Sequence, residues 1–131
     1  MKQKLLLLLT LSVFIAAAHA QKTVTVISKM ATRGYYSITY KVSGNAYSMP
    51  KSSIDAGGNQ PKSLPADASD ITIVTSYSNW GSEKNLKTFN AGRSGGTVTF
   101  SGDLAFTGIS ADFVSDGGGN YAEAVNENVD L

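Results

Sequence analysis

Apolar and polar residues alternate with a period of two over much of the chain after residue 20. The clearest case is Tyr35–Ser43, in which the even-numbered residues are all apolar and the intervening positions are mostly polar. Lys22–Ser28 and Asp70–Tyr77 are predicted strands because they are rich in Thr, Val and Ile. Such alternation predicts β-strands with one face in the core. A one-residue slip of Tyr35–Ser43 would turn its apolar face to water, so the register of that strand is well specified.

Shorter stretches complete the pattern of strands. Leu86–Asn90, Thr97–Phe100 and Ile109–Ser115 are predicted strands. After Thr97–Phe100, Leu104 and Phe106 continue the same apolar face if Ser101–Asp103 is a three-residue hairpin loop, whereas a two-residue loop would put them on the opposite face. The dipeptide Gly44-Asn45 indicates a two-residue hairpin loop that pairs Ser43 with Ala46. Apolar residues on both faces of Asp70–Tyr77 favour a central position for that strand.

Two segments do not follow the alternation. Pro50–Ser69 contains all three prolines and is predicted to be a long loop, with one short strand or turn near Ile54. Asn120–Leu131 fits either an edge strand or a frayed tail. No segment after residue 20 has the pattern of an amphipathic helix. Seven or eight short strands with frequent turns predict an all-β fold, a single antiparallel β-sandwich, with a small barrel as the less favoured alternative.

The first twenty residues have the pattern of a cleaved signal peptide. Lys2 and Lys4 precede an apolar run of about fourteen residues, which is too short to span a bilayer. The run ends in Ala18-His19-Ala20, a small-residue pattern that predicts cleavage after residue 20. We therefore expect residues 1–20 to be removed, residues 21–131 to form one β-sandwich domain, and the product to be secreted or periplasmic.

Composition narrows the chemistry that is available. The chain has no Cys, and its one His, His19, lies in the predicted signal peptide. The processed form would lack the residues of Ser-His-Asp or Cys-His catalysis, imidazole or thiolate metal sites, and disulfides. Without Lys2 and Lys4 the chain has nine Lys and Arg residues and ten Asp and Glu residues. This nearly neutral balance of charge argues against nucleic-acid binding, which depends on basic residues that neutralise phosphates. We expect no catalytic activity, no cofactor and no metal site.

Two groups of residues are candidates for ligand binding. The Gly-rich segment Ala91–Gly96 encloses Arg93 and Ser94, and Arg beside converging backbone amides can hold an anion, although an ordinary hairpin turn has the same composition. Tyr77 and Trp80 lie where a strand ends, and exposed aromatic residues there could stack on sugar rings or enter a lipid headgroup layer. The alternative is that Tyr77 belongs to the core and Trp80 caps the edge of the sandwich.

A short segment carries a family resemblance. Phe89-Asn90-Ala91-Gly92-Arg93-Ser94, followed by a Gly-rich link and a strand rich in Thr and Phe, resembles the aegerolysins. The resemblance covers about twenty residues, Lys84–Leu104. It implies a small β-sandwich that recognises particular membrane lipids, in some cases together with a partner protein.

These observations predict a secreted, non-catalytic binding protein. The leading hypothesis is recognition of a membrane lipid through loops at one end of the sandwich, with Tyr77 and Trp80 in the headgroup layer and Arg93 on a phosphate. A second hypothesis is a carbohydrate-binding module that uses Trp80 and Tyr47. A third is an adhesin-like or inhibitor-like domain that contacts another protein through an edge strand.

Overall fold

The computed structural model describes residues 21–105, 107–117 and 123–126; the predicted signal peptide lies outside the described residues. The described part contains ten strands and no helix, and it holds no helix with the length and hydropathy needed to cross a membrane. In chain order the strands are β1 (Lys22–Ser28), β2 (Gly34–Val42), β3 (Asn45–Ser48), β4 (Ser52–Ile54), β5 (Asn59–Leu64), β6 (Ser69–Asn79), β7 (Ser82–Gly92), β8 (Gly96–Asp103), β9 (Gly108–Ser115) and β10 (Glu123–Asn126).

The strands form two sheets, which confirms the prediction of an all-β sandwich. One sheet has four strands in the order β5-β1-β8-β9, and the other has the order β10-β7-β6-β2-β3, with β4 also paired to β2. All pairs are antiparallel except β1 with β8, which run parallel. Strand β6 lies between β2 and β7, so the predicted central position is confirmed. Strand β10 shows that residues 123–126 of the tail form an edge strand.

The core lies between the two sheets and is built from the inward positions of the alternating pattern. Val24, Val26, Val98 and Phe100 contribute from the four-stranded sheet, and the larger sheet faces them with a similar apolar set. The rings of Phe89 on β7 and Phe113 on β9 join the sheets, with centroids 5.8 Å apart. Without a disulfide, this burial of apolar surface is the main favourable term in folding.

In the β2–β3 hairpin, the side chains lie on the predicted faces of the strands, but the turn is formed by different residues. Val42 lies opposite Asn45 and Tyr40 opposite Tyr47, so Ser43-Gly44 forms the turn instead of Gly44-Asn45. Both turn residues have positive φ, 52° and 82°, which matches the twist of the flanking strands. The partner strand is displaced by two residues from the predicted register. A shift of two leaves every side chain on its predicted face.

The predicted loop Pro50–Ser69 contains two strands, β4 and β5. Strand β4 includes Ile54, where a short strand or turn was expected, but β5 was not expected. Strand β5 is an edge strand that pairs only with β1, and its Pro61 lies opposite Thr25. An edge strand tolerates proline because one side of it needs no ladder hydrogen bond. Only Leu64 of β5 is fully buried, so the other positions of β5 can be polar.

Two hairpins are longer than the sequence pattern predicts. Strands β6 and β7 have eleven residues each, where Leu86–Asn90 was the predicted extent of β7. Strand β8 continues through the predicted loop Ser101–Asp103, and Asp103 pairs with Gly108. Gly102 makes this possible because its φ is +98° and a Cβ there would come within 1.9 Å of the Gly108 carbonyl oxygen. The turn that leads to β9 therefore begins at residue 104.

Candidate functional site

The ends of the sandwich are formed by different sets of connections. The connections 29–33, 55–58 and 80–81, together with residues 104, 105 and 107, lie at one end, which we call the Trp80 end. The connections 43–44, 65–68 and 93–95 lie at the other end, which we call the Arg93 end. Because β1 and β8 run parallel, the segments that follow them emerge at the same end. The Trp80 end therefore combines loops from both sheets.

Trp80 is the most exposed large apolar residue of the described part, with 81% of its surface accessible. It occupies the first position of the two-residue turn between β6 and β7, followed by Gly81. The φ angles of the pair are 55° and 93°, so an aromatic side chain stands where Asn, Asp or Gly is usual. Trp80 thus carries backbone strain and buries little surface in return. Strained residues of this kind cluster at functional sites.

A cleft of about 580 Å³ opens beside Trp80. Three connections line it, and most of the lining is small or apolar: Ala31, Thr32, Ser78, Trp80, Gly81, Asp103, Leu104 and Ala105. The hydroxyl of Thr32 donates a hydrogen bond of 2.8 Å to the carbonyl oxygen of Ser78, and the Ser78 amide donates one of 2.9 Å to the Arg33 carbonyl oxygen. These bonds tie the turn of Trp80 to the loop between β1 and β2.

A β-bulge sets the direction of the Trp80 hairpin. The register between β6 and β7 shifts between Val74 and Ser76, and the buried Thr75 fills the gap. Its hydroxyl accepts a hydrogen bond from the Lys87 amide at 3.1 Å and donates one to the Lys87 carbonyl oxygen at 2.8 Å. A bulge bends the strand and increases its local twist. The bulge therefore lies between the regular pairing of Val74 with Thr88 and the hairpin tip that carries Trp80.

A network of polar side chains on the outer face of the six-stranded sheet also stabilises the β6–β7 hairpin. The ammonium group of Lys51 lies 2.5 Å and 2.6 Å from the two carboxylate oxygens of Glu83. The hydroxyl of the buried Ser76 donates a 2.5 Å bond to Glu83 Oε2. The bond from Lys51, and then that from Ser76, holds the pKa of Glu83 below its usual value. Lys51 also lies over the Tyr35 ring, 5.2 Å from its centroid.

The residues predicted to bind ligand divide between the two ends. Tyr77 lies three residues before Trp80 and packs half-buried against the core. Arg93 follows β7, whose eleven residues separate it from the Trp80 turn by about 35 Å. Tyr47 lies opposite Tyr40, near the start of β6, also toward the Arg93 end. The prediction that Arg93 shares an end with Trp80 is therefore wrong, and Tyr47 cannot form one surface with Trp80.

Ser94 is held by bonds within the protein. Its hydroxyl lies 2.6 Å from the hydroxyl of Ser115 and donates a 2.8 Å bond to the Gly95 carbonyl oxygen, and it also accepts a bond from the Gly117 amide at 3.1 Å. These contacts fasten the turn after β7 to the end of β9. Arg93 itself is exposed and close to Lys22, whose pKa is lowered first by burial and then by the charge of Arg93.

Tyr47 forms a separate aromatic surface. Its ring stacks on Tyr40 with centroids 5.6 Å apart and an angle of 22° between the planes, and 47% of Tyr47 is exposed.

The described residues contain no cluster of His, Cys, Asp and Glu side chains that could hold a metal ion.

Sequence reasoning did not find the residues that surround Trp80 in the cleft. Leu104 was predicted to continue an apolar strand face after a three-residue loop, whereas Leu104 and Ala105 belong to the turn that follows β8. Ala31 carries no signal because small residues are common in any loop. Asp103 was predicted to lie in the loop Ser101–Asp103, but it is the last residue of β8. The signal that pointed to this site was Trp80 itself, an aromatic residue followed by Gly at the end of an alternating segment.

No family model and no curated protein sequence matches the chain. Solved structures do share its fold. Suilysin, a cytotoxin from Streptococcus suis, matches with a TM-score of 0.53 and 13% identity over 72% of this chain and 23% of suilysin. Listeriolysin O matches with a TM-score of 0.56 and 12% identity over 73% and 22% of the two chains. Pneumolysin matches with a TM-score of 0.52 and 10% identity over 73% and 24%. The chain is thus similar in fold to less than a quarter of each of these proteins.

Proposed function

We propose that this chain is a secreted, non-catalytic protein that binds lipid membranes through the Trp80 end. The observation that carries the proposal is Trp80, which is 81% exposed in a strained turn where Asn or Gly would fold more easily. Trp is favoured at membrane interfaces because its ring is amphipathic. Neighbouring apolar side chains, Leu104 and Ala105, extend the surface beside it.

Two further observations support a membrane surface as the target. The fold is similar to a segment of suilysin, a cytotoxin, which is in keeping with a protein that acts on cells. The resemblance of the segment 89–94 to the aegerolysins remains a hypothesis, and it points to membrane lipid as well. In our structure that segment lies at the Arg93 end, so it contributes to the argument by its sequence and not by contact with the cleft.

The test uses vesicles and the fact that the chain has a single Trp. Co-sedimentation with vesicles of several lipid compositions measures binding, and the fluorescence of Trp80 reports its transfer from water. We expect a blue shift on binding and a large loss of binding for Trp80→Ala. The matched control is Val114→Ala, because Val114 is 69% exposed on β9, toward the Arg93 end. Folded protein that binds no vesicle, or equal binding by Trp80→Ala, would refute the proposal.

A carbohydrate-binding function is favoured by a different observation, the exposed stack of Tyr47 on Tyr40. Aromatic faces of this kind can stack on sugar rings. Because Trp80 is remote, such a site would depend on Tyr47 alone. Signal on a glycan array that disappears in Tyr47→Ala and persists in Trp80→Ala would identify it. A silent array would remove this candidate.

A further inference from the structure

A second cleft lies on the outer face of the six-stranded sheet, toward the Arg93 end. It has a volume of about 450 Å³ and crosses strands β2, β6 and β7. We call it the Asn90 groove. The residues on its lining with side chains that can form hydrogen bonds are Thr39, Lys41, Asp70, Thr72 and Asn90. The groove is therefore a polar site, unlike the cleft beside Trp80.

Three of these side chains form a row across the sheet. Thr39 on β2 lies opposite Thr72 on β6, and Thr72 lies opposite Asn90 on β7. Directly opposite side chains on neighbouring strands are about 5 Å apart. Thr39 and Asn90 are exposed, and neither side chain bonds to another residue in the described part of the chain. The Thr72 hydroxyl donates one long bond of 3.4 Å to the Asp70 carbonyl oxygen. The row thus offers two hydroxyls and a carboxamide that can both donate and accept.

A local irregularity of β6 gives the groove its depth. The register of β6 shifts against both β2 and β7 at this point. Asp70 lies within the shift and has a φ of 49°. Such bulges bend a strand and redirect its side chains. Ala46 and Gly92, which also line the groove, fill little of the space.

The lining carries no net charge and offers little apolar surface. The ammonium group of Lys41 lies 3.6 Å from the Asp70 carboxylate, and the two side chains are 51% and 70% exposed. Such an exposed pair contributes little to stability, and both groups keep spare hydrogen-bonding capacity. Of the apolar residues on the lining, Ile71 is buried in the core and Tyr40 packs against it. An ion or a lipid chain would therefore gain little here, whereas a neutral ligand with many hydroxyl groups would gain a partner for each of several hydroxyls.

We propose that the Asn90 groove binds a neutral saccharide, whose hydroxyl groups pair with the side chains of Thr39, Thr72 and Asn90. This site is independent of the Trp80 end, so a membrane and a glycan can be bound together. It also differs from the stack of Tyr47 on Tyr40, because it uses the outer face of the sheet. Loss of one hydrogen bond corresponds to a roughly 2- to 12-fold decrease in affinity.

The experiment measures binding to an array of neutral oligosaccharides (glucans, mannans and galactans), with sulfated and uronic-acid oligosaccharides for comparison. Thr39→Val and Asn90→Leu remove the polar groups at exposed positions and nearly keep the size of the side chains. Each should weaken binding by the factor given above, and the double variant by roughly 5-fold or more. The matched control is Thr25→Val, which makes the same change on β1, where Thr25 alternates with buried residues. The control, Tyr47→Ala and Trp80→Ala should bind like wild type, and thermal unfolding checks that each variant is folded.

The outcomes separate this site from the other candidates. Folded wild-type protein that binds no neutral oligosaccharide would overturn the proposal, and so would a signal confined to the acidic ones. Unchanged affinity in both single variants, or a loss found only in Tyr47→Ala, would also overturn it. Vesicle binding does not enter this test, so failure of the Asn90 groove leaves the membrane proposal standing, and failure of the membrane proposal leaves the groove standing.

Discussion

Replacing Trp80 with Asn should make the protein more stable and less able to bind membranes. Trp80 has a φ of 55° and precedes Gly81, so Trp80→Asn would create the Asn-Gly pair that is most favourable in such turns. The left-handed region costs an ordinary L-residue about 1–2 kcal/mol, and Asn visits it more readily. We expect a gain of about 0.5–1 kcal/mol in the free energy of unfolding, which corresponds to roughly 2–6 °C in Tm.

The loss in binding follows from the exposed surface. A Trp side chain can bury about 200 Å², and 81% of Trp80 is accessible in the free protein. If half of the exposed area entered the interface, the loss would be about 2 kcal/mol at 25 cal/mol per Å², or roughly 30-fold in affinity. Thermal unfolding and vesicle co-sedimentation of the same preparation measure both effects. A lower Tm would refute the reasoning about the turn, and unchanged binding would refute the role of Trp80.

Three further changes test how the fold is held. Thr75→Val should destabilise the protein by about 1–3 kcal/mol in chemical denaturation, because the bulge backbone would lose its buried partner; no loss would show that the hydroxyl is dispensable. Gly102→Ala should prevent folding or lower Tm strongly, since its Cβ would meet a carbonyl oxygen at 1.9 Å, whereas Gly44→Ala, with open space around it, should cost only the strain of its positive φ. The pKa of Glu83 is lowered in the folded state from a usual value of 4.5, so its contribution to stability is present above that pH and is lost as the pH falls through the folded pKa. Glu83→Gln should therefore show a smaller decrease in Tm than wild type between pH 5 and pH 3, and equal decreases would contradict the assignment.

The alternating pattern predicts the sandwich because it is a direct record of which face is buried. Strand β1 has the predicted bounds, and Tyr36, Ile38 and Tyr40 of β2 face the core as predicted, whereas Val42 at the end of β2 is not part of it. Turn positions are less predictable. The β2–β3 turn includes Ser43 with positive φ, a conformation that the residue type does not favour, so the expected Gly44-Asn45 loop was displaced by one residue. Edge strand β5 was missed because one open edge and one open face impose few apolar residues.

The candidate site was predictable in part, because the end of an alternating segment marks where a side chain can lie on the surface. Trp80 stood out as an aromatic residue at a strand end, and it lies on the surface. The position of Arg93 at the opposite end was predictable, because the predicted strand Leu86–Asn90 lies between Trp80 and Arg93 and carries the chain from one end of the sandwich to the other. The length of that strand was not predictable, because the exposed residues 82–85, which pair with the end of β6, carry no apolar alternation. The partners of Trp80 in its cleft come from turns that only the sheet topology brings together.

The parallel pair of β1 and β8 has a consequence for how the chain folds. Val24 lies beside Gly96, 72 positions later, and its other neighbour, Lys62, is also distant in sequence. Strand β1 therefore has both of its neighbours only after β5 and β8 have been synthesised, and contacts of such long range slow folding. Without the segment around β8, the backbone edge of β1 that pairs with β8 would be left open. We expect C-terminal truncations before residue 100 to aggregate rather than yield a smaller folded unit.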